Sequence, residues 1–247
     1  NDSTDNTLHE MNKFKNTINK ENLHIISENT PITCYTDREY YNTYHIRPIN
    51  LSHGRNKIIE FIENNYSHYD IMIMADLDNV LYTFDHTKLH LLFKHLHSFD
   101  VITANSMGKY YDIWPLRINQ DLWDDNIHGK IWKSPLNFDC WDEHFRNFNN
   151  KIKDYQVAIP TNFPLIPVNS AFGGIGIYKI SKIINCRYNA FNSGIVTCEH
   201  VNFHKEITLK NNATICICPE YLVYKTIKNT YLLSSNNTSH RALTWNF

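Results

Sequence analysis

Hydrophobic residues along the first half of the chain fall into segments that alternate between helical and strand-like spacing. Helical spacing occurs at residues 6–18, 58–62 and 89–96, and short apolar runs typical of strands occur at 23–27, 71–75 and 100–104. Alternating helices and strands are typical of a sheet whose parallel strands are joined by crossover helices. The pattern therefore predicts an α/β domain.

The alternation stops near Trp114, where an irregular, aromatic-rich stretch begins. A helix is predicted at 142–153, and strands return at 157–159, 165–168, 174–178 and 213–218. Neither an internal repeat nor a low-complexity linker divides the sequence. We therefore predict a single domain over residues 1–247, with a mixed, mainly parallel central sheet.

The apolar run that begins at Ile71 ends at two carboxylates, in the sequence Asp76-Leu77-Asp78. This indicates a buried strand whose C-terminal end carries acids, and in open α/β sheets ligands bind at that end. Alternate side chains of an extended chain point the same way, so Asp76 and Asp78 could hold one hard cation against phosphate oxygens. The run therefore predicts phosphate-linked chemistry.

The composition argues against some classes of partner. The formal net charge is −1 at pH 7, so there is no overall basic field of the kind that binds nucleic acid. We predict no membrane segment, because no run is long and apolar enough to span a bilayer. For the same reason, and because no segment near the start resembles a secretion signal, we predict a soluble protein. The six scattered cysteines predict reduced thiols in a cytosol-like compartment. The chain opens on Asn1 rather than Met, which leads us to expect a domain of a longer protein.

Two segments could approach a diphosphate. Arg55 and Asn56 are predicted to begin a helix, where free backbone N–H groups and the Arg55 guanidinium favour phosphate oxygens. Gly173 and Gly174 lie at the start of the strand predicted at 174–178 and would let the backbone come close to a ligand.

Two further segments could bind a sugar and a metal. Asp112, Trp114 and Arg117 combine an aromatic ring that can stack on a sugar with polar groups that can bond its hydroxyls. His200 and His204 are four residues apart and would share one helix face beside Glu199, so either imidazole could complete the metal site.

Three alternatives remain open from the residues alone. In a haloacid-dehalogenase-like phosphohydrolase, Asp76 would be the nucleophile and Asp78 a general acid, although such pairs usually lie near the N-terminus. A non-catalytic carbohydrate-binding module could use the same aromatic residues. A structural zinc site could draw on five residues, Cys198, His200, His204, Cys216 and Cys218.

Taken in chain order, these segments resemble the GT-A glycosyltransferase domains of fungal capsule-associated mannosyltransferase-like proteins and of related proteins from large DNA viruses. The opening Asn1 to Leu8 is similar to the Glu-x-x-Ser-x-Asp-x-Thr loop that follows the first strand of such domains. The resemblance therefore implies that this strand, which cups the nucleotide base, is absent from the sequence. For a viral protein, it implies the host cytoplasm as the location.

The resemblance also implies an activity and a set of roles. The donor would be a UDP- or GDP-linked sugar, the acceptor a glycan or glycoprotein, and the cofactor Mn²⁺ (or Mg²⁺). The metal would be held by Asp76, Asp78 and His204, or by His200 in its place. Donor binding is implied for Arg55, Asn56, Asp76, Trp114, Arg117, Gly173 and Gly174. Glu199 and Asp112 would lie at the reacting centre, with Glu199 as general base if the reaction inverts the sugar configuration and as an orienting group if it retains it.

Overall fold

A computed structural model of the protein describes residues 6–17, 23–28, 43–77, 85–136, 140, 154–192 and 195–223. Three sequence predictions lie outside these residues: the opening loop at 1–5, the second carboxylate Asp78, and the helix at 142–153.

The described residues include five α-helices, two of which are long enough to shape the core. The helices are α1 (Thr7–Thr17), α2 (Thr43–Asn65), α3 (His90–Phe93), α4 (Ile180–Ile183) and α5 (Glu199–Asn211), with short 3₁₀ turns at His86–Lys88 and His128–Lys130. The predicted helical segments correspond to α1, the second half of α2 and α3. The strand predicted at 23–27 is wrong, because residues 23–28 have no regular secondary structure.

Among the described residues, seven strands form one five-stranded sheet and one small two-stranded sheet. The strands are β1 (Ile71–Ala75), β2 (Val101–Ser106), β3 (Ile166–Val168), β4 (Ile175–Lys179), β5 (Phe191–Asn192), β6 (Ile195–Val196) and β7 (Ile215–Val223). The order in the large sheet is β1-β4-β2-β7-β3, and β5 pairs with β6. The predicted strand at 157–159 is reduced to a single bridge between Ala158 and Lys109.

The prediction of a mixed sheet is confirmed, but the sheet is not mainly parallel. Among the described strands only β2 and β7 pair in parallel, whereas β1–β4, β4–β2 and β7–β3 are antiparallel. The difference arises because β4 inserts between β1 and β2 and runs opposite to both. Strands β1, β2 and β7 nevertheless point the same way, so their C-terminal ends lie at one edge of the sheet.

The sheet separates two hydrophobic cores. On one face Met72 and Met74 of β1 pack in a cluster that includes Ile59 of α2 and Phe203 of α5. On the other face, the residues of β2, β4 and β7 that alternate with those of the first core pack around Leu92 of α3. Full burial of a side chain such as Ile59 stabilises the fold by about 1.5–3 kcal/mol. The result is a three-layer α/β arrangement in which α2 and α5 share one face of the sheet and α3 covers the other.

Within the part of the chain that the structure describes, none of the helices combines the length and apolar character that a bilayer crossing requires.

Candidate active site

Asp76 and the diglycine turn meet at the C-terminal ends of β1 and β2. The backbone N–H of Asp76 donates a 2.9 Å hydrogen bond to the carbonyl oxygen of Gly174. Gly173 has φ +69°, and a Cβ atom there would lie 2.3 Å from the carbonyl oxygen of Ala104 in β2. The glycine is therefore required by the close approach of this turn to β2, which places the turn beside the predicted metal ligand.

Arg55 bridges two carboxylates behind this edge of the sheet. Its side chain projects from α2 and is only 8% exposed. Nη2 donates a 2.7 Å hydrogen bond to Oδ1 of Asp76, and Nη1 forms an ion pair with Oε1 of Glu199. The guanidinium carbon lies 5.4 Å from the ring centre of Phe172 and 5.7 Å from that of Tyr188, which is within cation–π range.

These three charged groups leave a local excess of negative charge. Burial alone would lower the pKa of Arg55, but the Asp76 carboxylate beside it raises that pKa above its ordinary value. One permanent positive charge thus faces two carboxylates. Because the Asp76 side chain is 36% exposed, it can contact a ligand from solvent while it remains paired with the buried Arg55 guanidinium.

The prediction that Arg55 and Asn56 begin a helix is wrong. Helix α2 begins at Thr43 and continues through Pro48, so the backbone at Arg55 lies in the helix interior. Its N–H group is therefore not one of the free donors found at a helix start. The Asn56 side chain instead holds a neighbouring loop, since its Nδ2 donates to the carbonyl oxygen of Tyr188 at 2.9 Å and its Oδ1 accepts from the Tyr188 N–H at 2.7 Å.

Glu199 is the first residue of α5, and its side chain is buried. A carboxylate at this position interacts favourably with the positive end of the helix. The preceding Cys198 contacts Oε2 of Glu199, with 3.7 Å between the sulfur and the oxygen. Burial, together with the nearby charge of Asp112, raises the pKa of Cys198 to about 12, so the thiol is neutral.

His200 is buried with no hydrogen-bond partner for either ring nitrogen among the described residues. Its ring stacks on Phe172 with 4.0 Å between centroids, and Nε2 lies 3.8 Å from Oε1 of Glu199. Burial, the positive charge of Arg55 and the proximity of His204 hold the pKa of His200 well below its ordinary value. The imidazole is therefore neutral and has a lone pair available to a ligand. Leaving such a group unsatisfied costs about 1–3 kcal/mol, which favours a site that is completed by binding.

His204 lies deeper and is already hydrogen-bonded at both nitrogens. Nδ1 is 2.9 Å from Oγ of Ser170, and Nε2 is 3.1 Å from the hydroxyl of Tyr178. Burial, followed by the charge of Arg55, lowers the pKa of His204 to about 3. A metal ion could bind this ring only if one of the two hydrogen bonds were broken. The geometry therefore favours His200 over His204 as the ligand.

Asp112, Trp114 and Arg117 form the rim beside the diglycine turn. Oδ2 of Asp112 accepts a 2.8 Å hydrogen bond from the N–H of Gly173. Nη1 of Arg117 donates to the carbonyl oxygens of Trp114 and Leu116 at 2.9 and 2.7 Å. Trp114 is half-buried against the hydrophobic core. These contacts fix the loop at the same edge of the sheet as Asp76.

The five residues considered for a zinc site do not come together. His200 and His204 lie with α5 on one face of the sheet, whereas Cys216 and Cys218 point into the core on the opposite face. His204 contacts Tyr178, whose side chain lies on the face of the sheet that α2 and α5 cover. Successive side chains of a strand point to opposite faces, and Cys216 and Cys218 alternate with β7 residues that point to this face, so both cysteines point to the other one. A single zinc site that includes all five residues is therefore ruled out.

The structure also identifies contacts that sequence reasoning missed. Phe172 and Tyr188 enclose the Arg55 guanidinium, and Ser170 and Tyr178 fix His204. Phe172 directly precedes the diglycine pair and Ser170 lies two residues before Phe172, which is the signal that could have drawn attention to them. Tyr188 lies in an irregular segment with no such signal. Searches of family models and of curated proteins find no match to this chain, so an assignment of function depends on the residues and their geometry.

Proposed function

We propose that this protein is a metal-dependent glycosyltransferase that moves a sugar from a nucleoside diphosphate sugar to a hydroxyl acceptor. The observation that carries the proposal is the ion-pair network of Arg55, Asp76 and Glu199 beside the diglycine turn. These residues belong to segments that are far apart in the sequence. Each segment was predicted to contribute to the same site, and the segments meet at one edge of the sheet. In α/β sheets that edge is where phosphate-containing ligands bind.

The groups at this edge fit a divalent cation. The exposed Asp76 carboxylate is an oxygen ligand that suits Mn²⁺ or Mg²⁺, and the buried neutral imidazole of His200 favours Mn²⁺ of the two. We assign the ion to Asp76, to Asp78 on the basis of its spacing from Asp76, and to His200 in preference to His204. When bound, such an ion supplies positive charge that stabilises the departing nucleoside diphosphate.

Arg55 has a positioning role in this proposal. Because its two nitrogens contact Asp76 and Glu199, it fixes the distance between a metal ligand and the residue assigned to the reacting centre. A buried guanidinium between two aromatic rings keeps that geometry without adjustment during the reaction. In this proposal the main role of Arg55 is therefore to position Asp76 and Glu199, and not to bind the diphosphate directly.

Asp112, Trp114 and Arg117 are assigned to the sugar end of the donor. Asp112 accepts a hydrogen bond from Gly173, so it lies beside the diglycine turn that also contacts Asp76. An aromatic ring and polar groups held in this way can recognise the face and hydroxyls of a hexose.

Glu199 is assigned to the acceptor side. Its Oε1 is paired with the Arg55 guanidinium, whereas Oε2 has only the weak contact with the Cys198 thiol, so Oε2 is the oxygen that would accept a proton from the acceptor hydroxyl in an inverting reaction. In a retaining reaction the same oxygen would orient the acceptor. In its most detailed form, the proposal also includes a GT-A fold, a UDP- or GDP-linked donor and a glycan or glycoprotein acceptor.

A thermal-shift screen of UDP- and GDP-sugars tests this function, because a ligand that binds only the folded protein raises its melting temperature. At least one nucleotide sugar should raise the melting temperature in the presence of Mn²⁺ and not after chelation by EDTA. If free sugars stabilise the protein equally with and without metal, a carbohydrate-binding module is favoured. If beryllium trifluoride with Mg²⁺ stabilises it and no nucleotide sugar does, the phosphohydrolase is favoured.

A further inference from the structure

A second group of metal-ligating side chains lies on the face of the sheet opposite Arg55 and His200. His95, Cys218 and Glu220 each offer one ligand atom, and these atoms all lie within 4.8 Å of one another. Cys218 is buried in the core that surrounds Leu92, His95 is half-buried, and Glu220 is exposed. A thiol, an imidazole and a carboxylate are the three side-chain groups that most often bind zinc.

An irregularity in β7 brings Cys218 and Glu220 to the same place. Ala104 of β2 pairs with Cys218, but the next residue, Asn105, pairs with Leu222, so three residues of β7 bulge out of the ladder. Pro219 lies in this bulge, where its missing N–H costs no ladder hydrogen bond. The Asn105 amide secures the bulge by donating a 3.0 Å hydrogen bond to the carbonyl oxygen of Pro219. Bulges of this kind often redirect a side chain toward a functional site.

His95 reaches the bulge from the turn that follows α3. The turn is held in place by Leu92, which is fully buried against the sheet. Neither ring nitrogen of His95 makes a hydrogen bond within the residues described. The neighbouring Lys94 forms an ion pair with Glu220, so a positive charge already occupies part of this site. A cation that binds here must displace the Lys94 ammonium from the carboxylate.

A cavity adjoins the three side chains. It has a volume of about 290 Å³ and is lined by His95, Cys218 and Glu220 together with residues of the 161–165 segment, including Thr161 and Asn162. The cavity opens to solvent and provides space for a further ligand to a bound ion. Three protein ligands with one open position are the pattern of zinc sites that bind an exchangeable water or small molecule.

We propose that His95, Cys218 and Glu220 form a site for a thiophilic divalent cation of the Zn²⁺ class, with its remaining position open to the cavity. Binding replaces the thiol proton of Cys218 by the metal and releases that proton to solvent. It also breaks the contact of the Cys218 sulfur with the Leu91 carbonyl oxygen, now 3.7 Å away, and the ion pair of Lys94 with Glu220. The site is distinct from the proposed transferase site, which lies on the other face of the sheet and offers carboxylate and imidazole groups that suit Mn²⁺.

Titration of the metal-free protein with Co²⁺ tests the proposal, because thiolate coordination to Co²⁺ gives a charge-transfer absorption that carboxylate and imidazole ligands do not give. The parent protein should bind one Co²⁺ with this absorption and lose it when Zn²⁺ is added. Cys218→Ser should abolish the absorption, and His95→Gln and Glu220→Gln should each weaken Co²⁺ binding about tenfold or more. Lys94→Gln should tighten binding, because it removes the competing charge.

Two controls separate this site from others. His97→Gln changes an exposed histidine in the same turn, and Asp76→Asn changes the proposed transferase site. Both variants should develop the same thiolate absorption as the parent, at the same Co²⁺ concentrations. The proposal is overturned if the parent shows no thiolate absorption, or if the absorption survives in Cys218→Ser. Should Cys218→Ser fail to fold, unchanged Co²⁺ affinity in both His95→Gln and Glu220→Gln would overturn it equally.

Discussion

The guanidinium of Arg55 lies 2.7 Å from the carboxylate of Asp76 and also forms an ion pair with Glu199, so one buried cation connects α2 with the end of β1 and the start of α5. The side chain of Glu199 is only 3% exposed. Removing one partner of a buried ion pair leaves the other charge uncompensated in a poorly solvated position. The stability of the site therefore depends on this contact.

Arg55→Met should lower the free energy of unfolding by about 3–5 kcal/mol, because it leaves the Glu199 carboxylate buried without its partner. Adding Glu199→Gln should restore part of the loss. Urea denaturation measures both variants. Lys57→Met is the matched control on the same helix; its half-exposed ion pairs with Glu28 and Glu60 should contribute no more than about 1 kcal/mol. If Arg55→Met costs no more than Lys57→Met, the network does not hold the site together.

The two histidines should differ in what their removal affects. His200→Ala should weaken Mn²⁺-dependent binding of a nucleotide sugar about tenfold or more, and it should lower the stability less than His204→Ala, because the His200 ring loses packing against Phe172 but no hydrogen bonds within the described structure. His204→Ala should lower the stability by about 2–4 kcal/mol through lost packing and the unpaired Ser170 and Tyr178 hydroxyls. The opposite result, with metal-dependent binding lost only in His204→Ala, would identify His204 as the ligand.

Stability should fall in mild acid. The ordinary pKa of an imidazole is 6.5, whereas burial lowers that of His204 to about 3. Between these values the unfolded chain binds a proton that the folded protein does not, so the free energy of unfolding decreases as the pH falls. The slope is about 1.4 kcal/mol per pH unit for each such histidine. Urea denaturation at about pH 7 and about pH 5 should show a smaller loss for His204→Gln than for the parent. An equal loss would assign the acid sensitivity to other groups.

Gly173→Ala should destabilise the protein by about 1–3 kcal/mol or more, because the residue has φ +69° and its new Cβ would meet the Ala104 carbonyl oxygen at 2.3 Å. The change should also disturb the hydrogen bond from Gly173 to Asp112. Gly54→Ala is the contrasting variant: apart from its chain neighbours and the nearby backbone of α2 itself, no atom of the described structure lies within 4 Å of its Cβ position, and it should stabilise by about 0.5–1 kcal/mol. Thermal melts of the two variants check both signs.

Sequence reasoning located the residues of the site better than it described their contacts. The apolar run ending at Asp76 fixed the position of β1, since short apolar runs bounded by polar residues carry a strong local signal. The partners of Arg55 were not predictable, because they depend on how α2 and α5 pack on the sheet. The position of β4 between β1 and β2 was not predictable either, because the spacing of hydrophobic residues indicates individual strands but not their order in the sheet.

Sequence reasoning also failed in two places. The helix start predicted at Arg55 followed the resemblance of residues 52–56 to a family segment that begins a helix, yet α2 continues through them, and Ser52 donates a hydrogen bond to the Pro48 carbonyl within the helix. The grouping of His95 with Cys218 and Glu220 went unnoticed because the residues are distant in sequence. Pro219 inside a strand was the signal that could have indicated the bulge between them.

The central claim is that the edge of the sheet at Asp76 binds a nucleotide sugar through a metal ion. The most direct test is calorimetric titration of the best nucleotide sugar from the thermal-shift screen, with and without Mn²⁺, in the parent, Asp76→Asn and Asp70→Asn. Asp70 is exposed and lies just before the opposite end of β1, so its exchange controls for the loss of one negative charge. The account predicts Mn²⁺-dependent binding in the parent and in Asp70→Asn, and loss of that binding in a folded Asp76→Asn variant. Binding that persists unchanged in Asp76→Asn, or that never depends on Mn²⁺, would contradict it.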